Sequence, residues 1–453
     1  MTDKQAYLNQ TAQALIAAAQ AGALGKPIPI LQAETIAGPR AGAVRLYAGL
    51  YTGNLHRVLA ADDCALARQF IAWPFPGDPQ VYLDGRAVRV EAPWPPELAT
   101  AAIRLREIAP HPKGKGRWVV GVDEIGRTVI GGLTDATPHW LVAGTTGSGK
   151  TTALIGAAYQ LAQDPATRLV LIDGKGGAGL APLQGLPGVV GPIAGDAYQA
   201  RRALAWAHNQ IKERYEALRG AGNGWPRVVV IFDEFQEFTG DPLVAELLRR
   251  IVLKGRAARV HVILATQHPT VGMFGNDGGA VKRNLPGRLA LRVLDAEASR
   301  VAVGAPVPRA DRLTGAGDAY TITTQVHRVQ VALVERGDLA RLPRTDPILE
   351  DFPEVEAEDL GQEVEARWAY TGAELACGLA AAARGWGRPR LVELLAARGL
   401  GRPGAERAIR LLQLGREALE ALDALGLEVV ERPAWRASCP PEAGAIVDLE
   451  RYG

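Results

Sequence analysis

Two short stretches hold the residue types that transfer a phosphoryl group. Gly144, Thr145, Thr146, Gly147, Ser148, Gly149, Lys150 and Thr151 fit the phosphate-loop spacing Gly-x4-Gly-Lys-Ser/Thr, and Thr152 continues it. Glycines at these positions let consecutive backbone N–H groups turn inward as an anion nest, and a following helix adds the positive end of its dipole. That chemistry calls for ATP, with Lys150 on the β and γ phosphates and Thr151 offering its hydroxyl to Mg2+. Glycine is abundant, 52 of 453 residues, so a glycine-rich turn alone decides little. The context decides: Trp140–Ala143 leads in like a buried strand, and Thr151–Gln163 leads out like a helix.

The second stretch runs through Val228–Phe232, five apolar residues, into Asp233 and Glu234. A buried strand ending in two acids puts Asp233 toward Mg2+ and Glu234 toward an attacking water. Asp173 and Lys175 end a strand between these stretches in sequence, and Gln267 ends the strand after the acid pair, where it can sense the γ phosphate. An extra strand between loop and acid pair, with a glutamate base, fits RecA-like motors and not small nucleotide kinases or Ras-like switches.

Elements must position these groups, and the chain reads as α/β. Residues 113–343 alternate apolar runs with helix-like segments, as a parallel sheet covered on both faces would; Arg168–Asp173, Arg227–Asp233 and Val260–Gln267 are the clearest strands. Residues 1–25 read as one helix, for packing or oligomer contact. Residues 26–112 read as a small α+β subdomain with strands at Ala43–Tyr47 and Gln80–Asp84, a helix at Asp62–Phe70, and tryptophans that anchor a core. The 344–365 segment has no Lys or Arg after Arg344 and reads as a solvated acidic linker. In 366–453, helices at Ala373–Ala383, Pro389–Ala397 and Pro403–Leu425, rich in Arg, resemble a helix-turn-helix or winged helix. Glu428–Glu431 and Ala445–Val447 would be its wing strands; a helical bundle with solvated arginines is the alternative.

Composition bounds the rest. At 453 residues the chain calls for two or three domains, and a net charge of +2 leaves nucleic-acid binding to local patches. Cys64, Cys377 and Cys439 lack the spacing of a zinc site or a disulfide framework. No run of 18 apolar residues and no leader pattern occur, so a cytoplasmic protein without membrane insertion is expected.

In order, Thr137–Lys150, Ile172–Lys175, Phe232–Phe235, Ala265–Pro269 and Gly315–Asp318 resemble the motifs of the FtsK/SpoIIIE family of hexameric DNA translocases, within the HerA–FtsK group. The resemblance covers Lys113–Glu335; Ile28–Pro95 is similar, more loosely, to that family's smaller motor subdomain. It implies a RecA-like ATPase in a homo-hexameric ring around double-stranded DNA, with ATP sites at the subunit boundaries. It also implies an arginine supplied by the neighbouring subunit: Lys254–Ala258 matches the family's segment, giving Arg256, with Arg259 in reserve. DNA contacts fall on His268, where family members often carry Arg, and on Lys282, Arg283 and Arg300; Ala296 stands where they often carry Lys. The resulting expectation is an ATP-driven duplex DNA translocase, for plasmid or mobile-element DNA. The alternatives are a secretion-type motor acting on protein and a DNA-binding nucleotide switch.

Overall fold

The computed structural model describes residues 3–22, 26–49, 52–74, 78–100, 102–108, 115–218, 224–267, 278–354 and 372–397, together with 269, 399–400, 408, 411–416 and 418–419. Contacts divide the chain into two compact units. The first comprises Met1–Met273 with Gly279–Val355, and the second Phe274–Gly278 with Glu356–Gly453.

The first unit holds two sheets. In the smaller, β1 (Gln32–Ala37), β2 (Ala41–Tyr47), β3 (Gln80–Asp84) and β4 (Ala87–Pro93) are antiparallel in the order β1-β2-β4-β3. Helices α1 (Asp3–Gln20), α2 (Thr52–Leu59) and α3 (Ala61–Gln69) belong to the same region, and Leu8, Leu15, Leu46, Leu55 and Leu59 form a core with Trp73 and Trp94. The two indoles lie 4.7 Å apart, and each N–H reaches a carbonyl, Trp73 to Pro93 and Trp94 to Gly38. These tryptophans are packing residues, because both faces and the polar edge are used inside the fold.

The larger sheet comprises β5 (Ile103–Arg104), β6 (Arg117–Asp123), β7 (Thr128–Gly132), β8 (Trp140–Ala143), β9 (Thr167–Asp173), β10 (Arg227–Asp233), β11 (Val260–Thr266), β12 (Gly287–Leu291), β13 (Asp318–Ile322) and β14 (Val326–Leu333). Its order is β7-β6-β14-β13-β12-β8-β11-β10-β9, with β5 beside β14. From β12 to β9 all pairs are parallel, whereas from β12 to β7 all are antiparallel. The expectation of a parallel sheet is therefore corrected for this half: short turns join β13 to β14 and β6 to β7, which antiparallel pairing permits and parallel pairing does not. In the parallel half β8, β10 and β11 are buried at every position, as the unbroken apolar runs require. Helices α4 (Lys150–Leu161), α5 (Ala197–Leu218), α6 (Pro242–Lys254), α7 (Gly278–Arg283) and α8 (Ala296–Val303) connect these strands. Asp241 caps α6 by accepting from the N–H groups of Leu243 and Val244, and Asp295 caps α8 through Ala298.

The strand that separates β8 from β10 in space is β11, which follows both in sequence; β9, which lies between them in sequence, forms the edge. The order β12-β8-β11-β10-β9 is that of RecA-like ATPase cores, and it sends the ends of β8, β9, β10 and β11 to one side.

The part of the acidic segment up to residue 354 is not a solvated linker. Thr345, Ile348 and Leu349 donate backbone N–H groups to Gly185, Val189 and Val190. Phe352 is buried beside Trp206 and over Gly191, where any Cβ would meet its ring at 2.8 Å. Arg202 pairs with Asp351 at 2.9 Å, so one of the acids that marked a linker is spent on docking.

The second unit contains helices Gly372–Ala383 and Arg388–Ala397, with Cys377, Ala381, Leu391, Leu395, Ala408 and Leu411 in one apolar cluster. Arg384 and Arg390 lie over the Trp386 ring. The expected wing strands, and most of the Pro403–Leu425 helix, fall outside the described residues.

Candidate nucleotide site

Gly144–Gly149 link β8 to α4. Gly147 (φ +77°) and Gly149 (φ +106°) take left-handed conformations that side chains resist, and the place of a Gly147 Cβ is open space. The loop is braced from behind. Thr145 donates its N–H to Arg292 O at 2.8 Å, and Ser148 Oγ donates to Thr145 O at 2.7 Å. Gly317, in the turn before β13, donates to Ser148 O at 2.8 Å. Gln330 Nε2 reaches Ala316 O, and Arg40, in the bend between β1 and β2, donates to Gln330 Oε1 at 2.6 Å, so the small-sheet region also supports the loop.

Lys150 is buried in the first turn of α4, with Thr145 O at 3.5 Å and Glu234 Oε1 at 3.9 Å. Burial lowers its ammonium below the ordinary lysine value, against the pull of Glu234 and Asp233. Such long contacts for a buried cation fit an anion seated in the loop. Asp233 and Asp173 stand side by side in register on β10 and β9. Asp173 is fully engaged by the N–H groups of Lys175, Gly179 and Leu180. Asp233 Oδ2 accepts from Thr151 Oγ1 at 2.8 Å, and burial raises its carboxyl. These adjacent hard oxygens suit Mg2+, and the loop with Lys150 suits the phosphates, so the residues present fit Mg2+–ATP.

Glu234 adopts φ +53°, ψ +47°, a strained conformation for a residue with a side chain, held where two strand ends converge. Gly174 makes this convergence possible, since a Cβ there would lie 2.7 Å from Glu234 O. Gln267 Nε2 donates to Glu234 Oε1 at 2.7 Å, and Thr146 Oγ1 donates to Gln267 Oε1 at 2.7 Å, so acid, sensor residue and phosphate loop form one chain of hydrogen bonds. Lys175 pairs with Oε1 and Gln236 donates to Oε2. Burial pushes the Glu234 carboxyl up; Lys175, Gln236, Lys150 and Gln267 outweigh it and hold it below the ordinary range.

The structure thus brings together Thr146, Lys150, Thr151, Asp233, Glu234 and Gln267. It does not bring Arg256 to them. Arg256 is exposed in the turn before β11, at the opposite end of that strand, lining a cavity of about 510 Å³ with Arg283 and Tyr215. Lys282 and Arg300 come close to each other through Arg288, a residue not singled out in the sequence; its guanidinium donates to Lys282 O and Val301 O. His268 lies outside the described residues. The roles of Lys175 and Gln236 were also missed in the sequence, though Lys175 stands in a recognised strand-end motif.

The FtsK/SpoIIIE family profile matches residues 104–225, from β5 past the phosphate loop to the end of the connection before β10. Residues 104–225 are thus similar to an FtsK/SpoIIIE domain. Over 325 residues it is 30% identical to the DNA translocase FtsK of Tropheryma whipplei, covering 64% of this chain and 41% of that protein. Over 279 residues it is 30% identical to the DNA translocase SftA of Bacillus subtilis, covering 53% and 28%. The chain therefore spans less than half the length of these relatives. Among solved structures, the cytoplasmic domain of the Thermomonospora curvata type VII secretion ATPase EccC aligns with a TM-score of 0.48 at 24% identity, over 57% of this chain and 36% of that one. Among the described residues, no helix is long and apolar enough to cross a membrane.

Proposed function

We propose that the chain hydrolyses ATP and couples hydrolysis to movement along double-stranded DNA, as a homo-hexameric ring with sites shared between subunits. The observation that carries this reading is the division of the chemistry between the two ends of the sheet. Phosphate loop, Asp233, Glu234 and Gln267 converge at one end of the parallel strands, while Arg256 is exposed at the other. A head-to-tail ring would bring Arg256 of one copy to the phosphates of the next, which is how a shared site is completed.

In this reading Glu234 receives a proton from the attacking water, Gln267 relays the state of the phosphate loop to it, and Lys150 holds the β and γ phosphates. Bound Mg2+ would neutralise phosphate charge, held through Thr151 and Asp233. Lys282, Arg283 and Arg300 supply sequence-independent contact with DNA phosphates.

The test is phosphate release with and without duplex DNA. Duplex should stimulate hydrolysis, the stimulation should fall steeply as salt rises, and Glu234→Gln should bind ATP without turning it over. Normal turnover by Glu234→Gln would remove that residue as the base. Stimulation by polypeptide and not by duplex would move the chain to the protein-secreting motors.

A further inference from the structure

The Glu234 carboxylate is held by more donors than a working base can keep. Oε1 accepts from Gln267 Nε2 at 2.7 Å and also pairs with Lys175; Oε2 accepts from Gln236 Nε2. An oxygen already receiving two N–H donors has little lone-pair capacity left for a proton from water.

The three donors differ in how firmly they are placed. Gln236 Oε1 is tied to Thr266 Oγ1 and Gln267 N, and Gln267 Oε1 is tied to Thr146 Oγ1, so both amides are fixed at their far ends. Lys175 is different: its side chain is 51% exposed. It sits on a turn with Gly176 (φ +66°) and Gly177 (φ +84°), neither of which offers a side chain to hold it. Its backbone N–H is anchored on Asp173 Oδ1 at 2.9 Å, which keeps the residue in range while leaving the ammonium free to swing.

We propose that Lys175 is a positioning residue that parks the Glu234 carboxylate in the resting chain and must release Oε1 before that oxygen can take a proton from water. The proposal rests on the reading of Glu234 as the base. Lys175 acts through Glu234, and a half-exposed ammonium is the donor that an incoming anion can draw away.

The experiment is steady-state phosphate release from ATP without DNA, comparing the unaltered chain with Lys175→Ala, Lys175→Arg, Glu234→Gln and Lys175→Ala/Glu234→Gln. Lys175→Ala should raise kcat about five- to tenfold, the scale of one charge-assisted hydrogen bond discounted for exposure, with KM for ATP unchanged within about twofold. Lys175→Arg, which keeps a donor on Oε1, should bring kcat back toward the unaltered value. Lys175→Ala should add nothing in the Glu234→Gln background, because its effect runs through that carboxylate.

A fall in kcat, a rise in KM, or an equal gain in the Glu234→Gln background would overturn the proposal, the last two by assigning Lys175 to the phosphates or to a general loosening. An unchanged kcat in Lys175→Ala, with Glu234→Gln inactive, would remove the proposal and leave the base assignment standing. Turnover by Glu234→Gln at the unaltered rate would remove both.

Discussion

Arg256→Ala separates a shared site from a self-contained one. β11 runs seven residues from Val260 to Thr266, so at about 3.3 Å per residue roughly 20 Å separates the turn carrying Arg256 from Gln267. That is beyond the reach of a side chain and about two Debye lengths at physiological salt, so Arg256 has no direct effect on the phosphates of its own subunit. Supplied by a neighbour, an arginine on the transferring phosphoryl group is worth about 10³-fold or more in turnover. A uniform Arg256→Ala assembly should lose activity on that scale while still binding ATP. The assay is complementation: Arg256→Ala, with an intact Glu234, is mixed with Glu234→Gln, with an intact Arg256, and phosphate release is followed. Each variant alone is inactive. In an equal, random mixture about a quarter of the sites would combine a working Glu234 with a neighbour's Arg256, in a head-to-tail ring, and activity should return to about that share. Mixtures that form assemblies yet stay inactive would refute the trans assignment and move the role to another residue, Arg259 first.

Arg328 lies between Glu91 of the small sheet and Asp318, all buried, with Tyr320 Oη donating to Glu91 at 2.8 Å. Arg328→Met should therefore cost about 3–5 kcal/mol in denaturant unfolding by leaving the buried Asp318 without its ion partner and Glu91 with Arg89 alone; a loss below about 1 kcal/mol would mean the network is wet. His139 and His261 are held neutral by burial, their values lowered from 6.5 to about 3 and about 4. As pH falls through 6.5 the unfolded chain takes up protons that the folded chain refuses, so stability present above that pH should drop by about 2 kcal/mol per histidine by pH 5. A flat unfolding midpoint between pH 7.5 and 5 would contradict this burial.

The chemistry was legible because its residue types are rare in combination: a phosphate loop fixes its own turn, and five apolar residues before Asp233 and Glu234 can be little else than a buried strand. Long parallel strands also announced themselves, since burial on both faces leaves an unbroken apolar run. What was hidden depends on partners distant in sequence. The antiparallel extension through β13, β14, β6 and β7 uses strands that precede and follow the parallel ones in sequence, and no local pattern says which will pair. Residues 345–354 looked solvated because their acids outnumber their apolar groups, but Phe352 and three backbone hydrogen bonds to 185–190 dock them. Lys175 was visible as a strand-end residue; its pairing with Glu234 required knowing that β9 and β10 are neighbours in register.

The central claim, that hydrolysis at Glu234 drives movement along duplex DNA, is tested most directly by displacement of a third strand from a triplex placed at one end of a linear duplex. The account predicts that the unaltered chain displaces it with ATP, after a lag that lengthens with the intervening duplex, and that Glu234→Gln does not. Duplex-stimulated hydrolysis with no displacement at any length would contradict it, leaving an ATPase that binds DNA without moving along it.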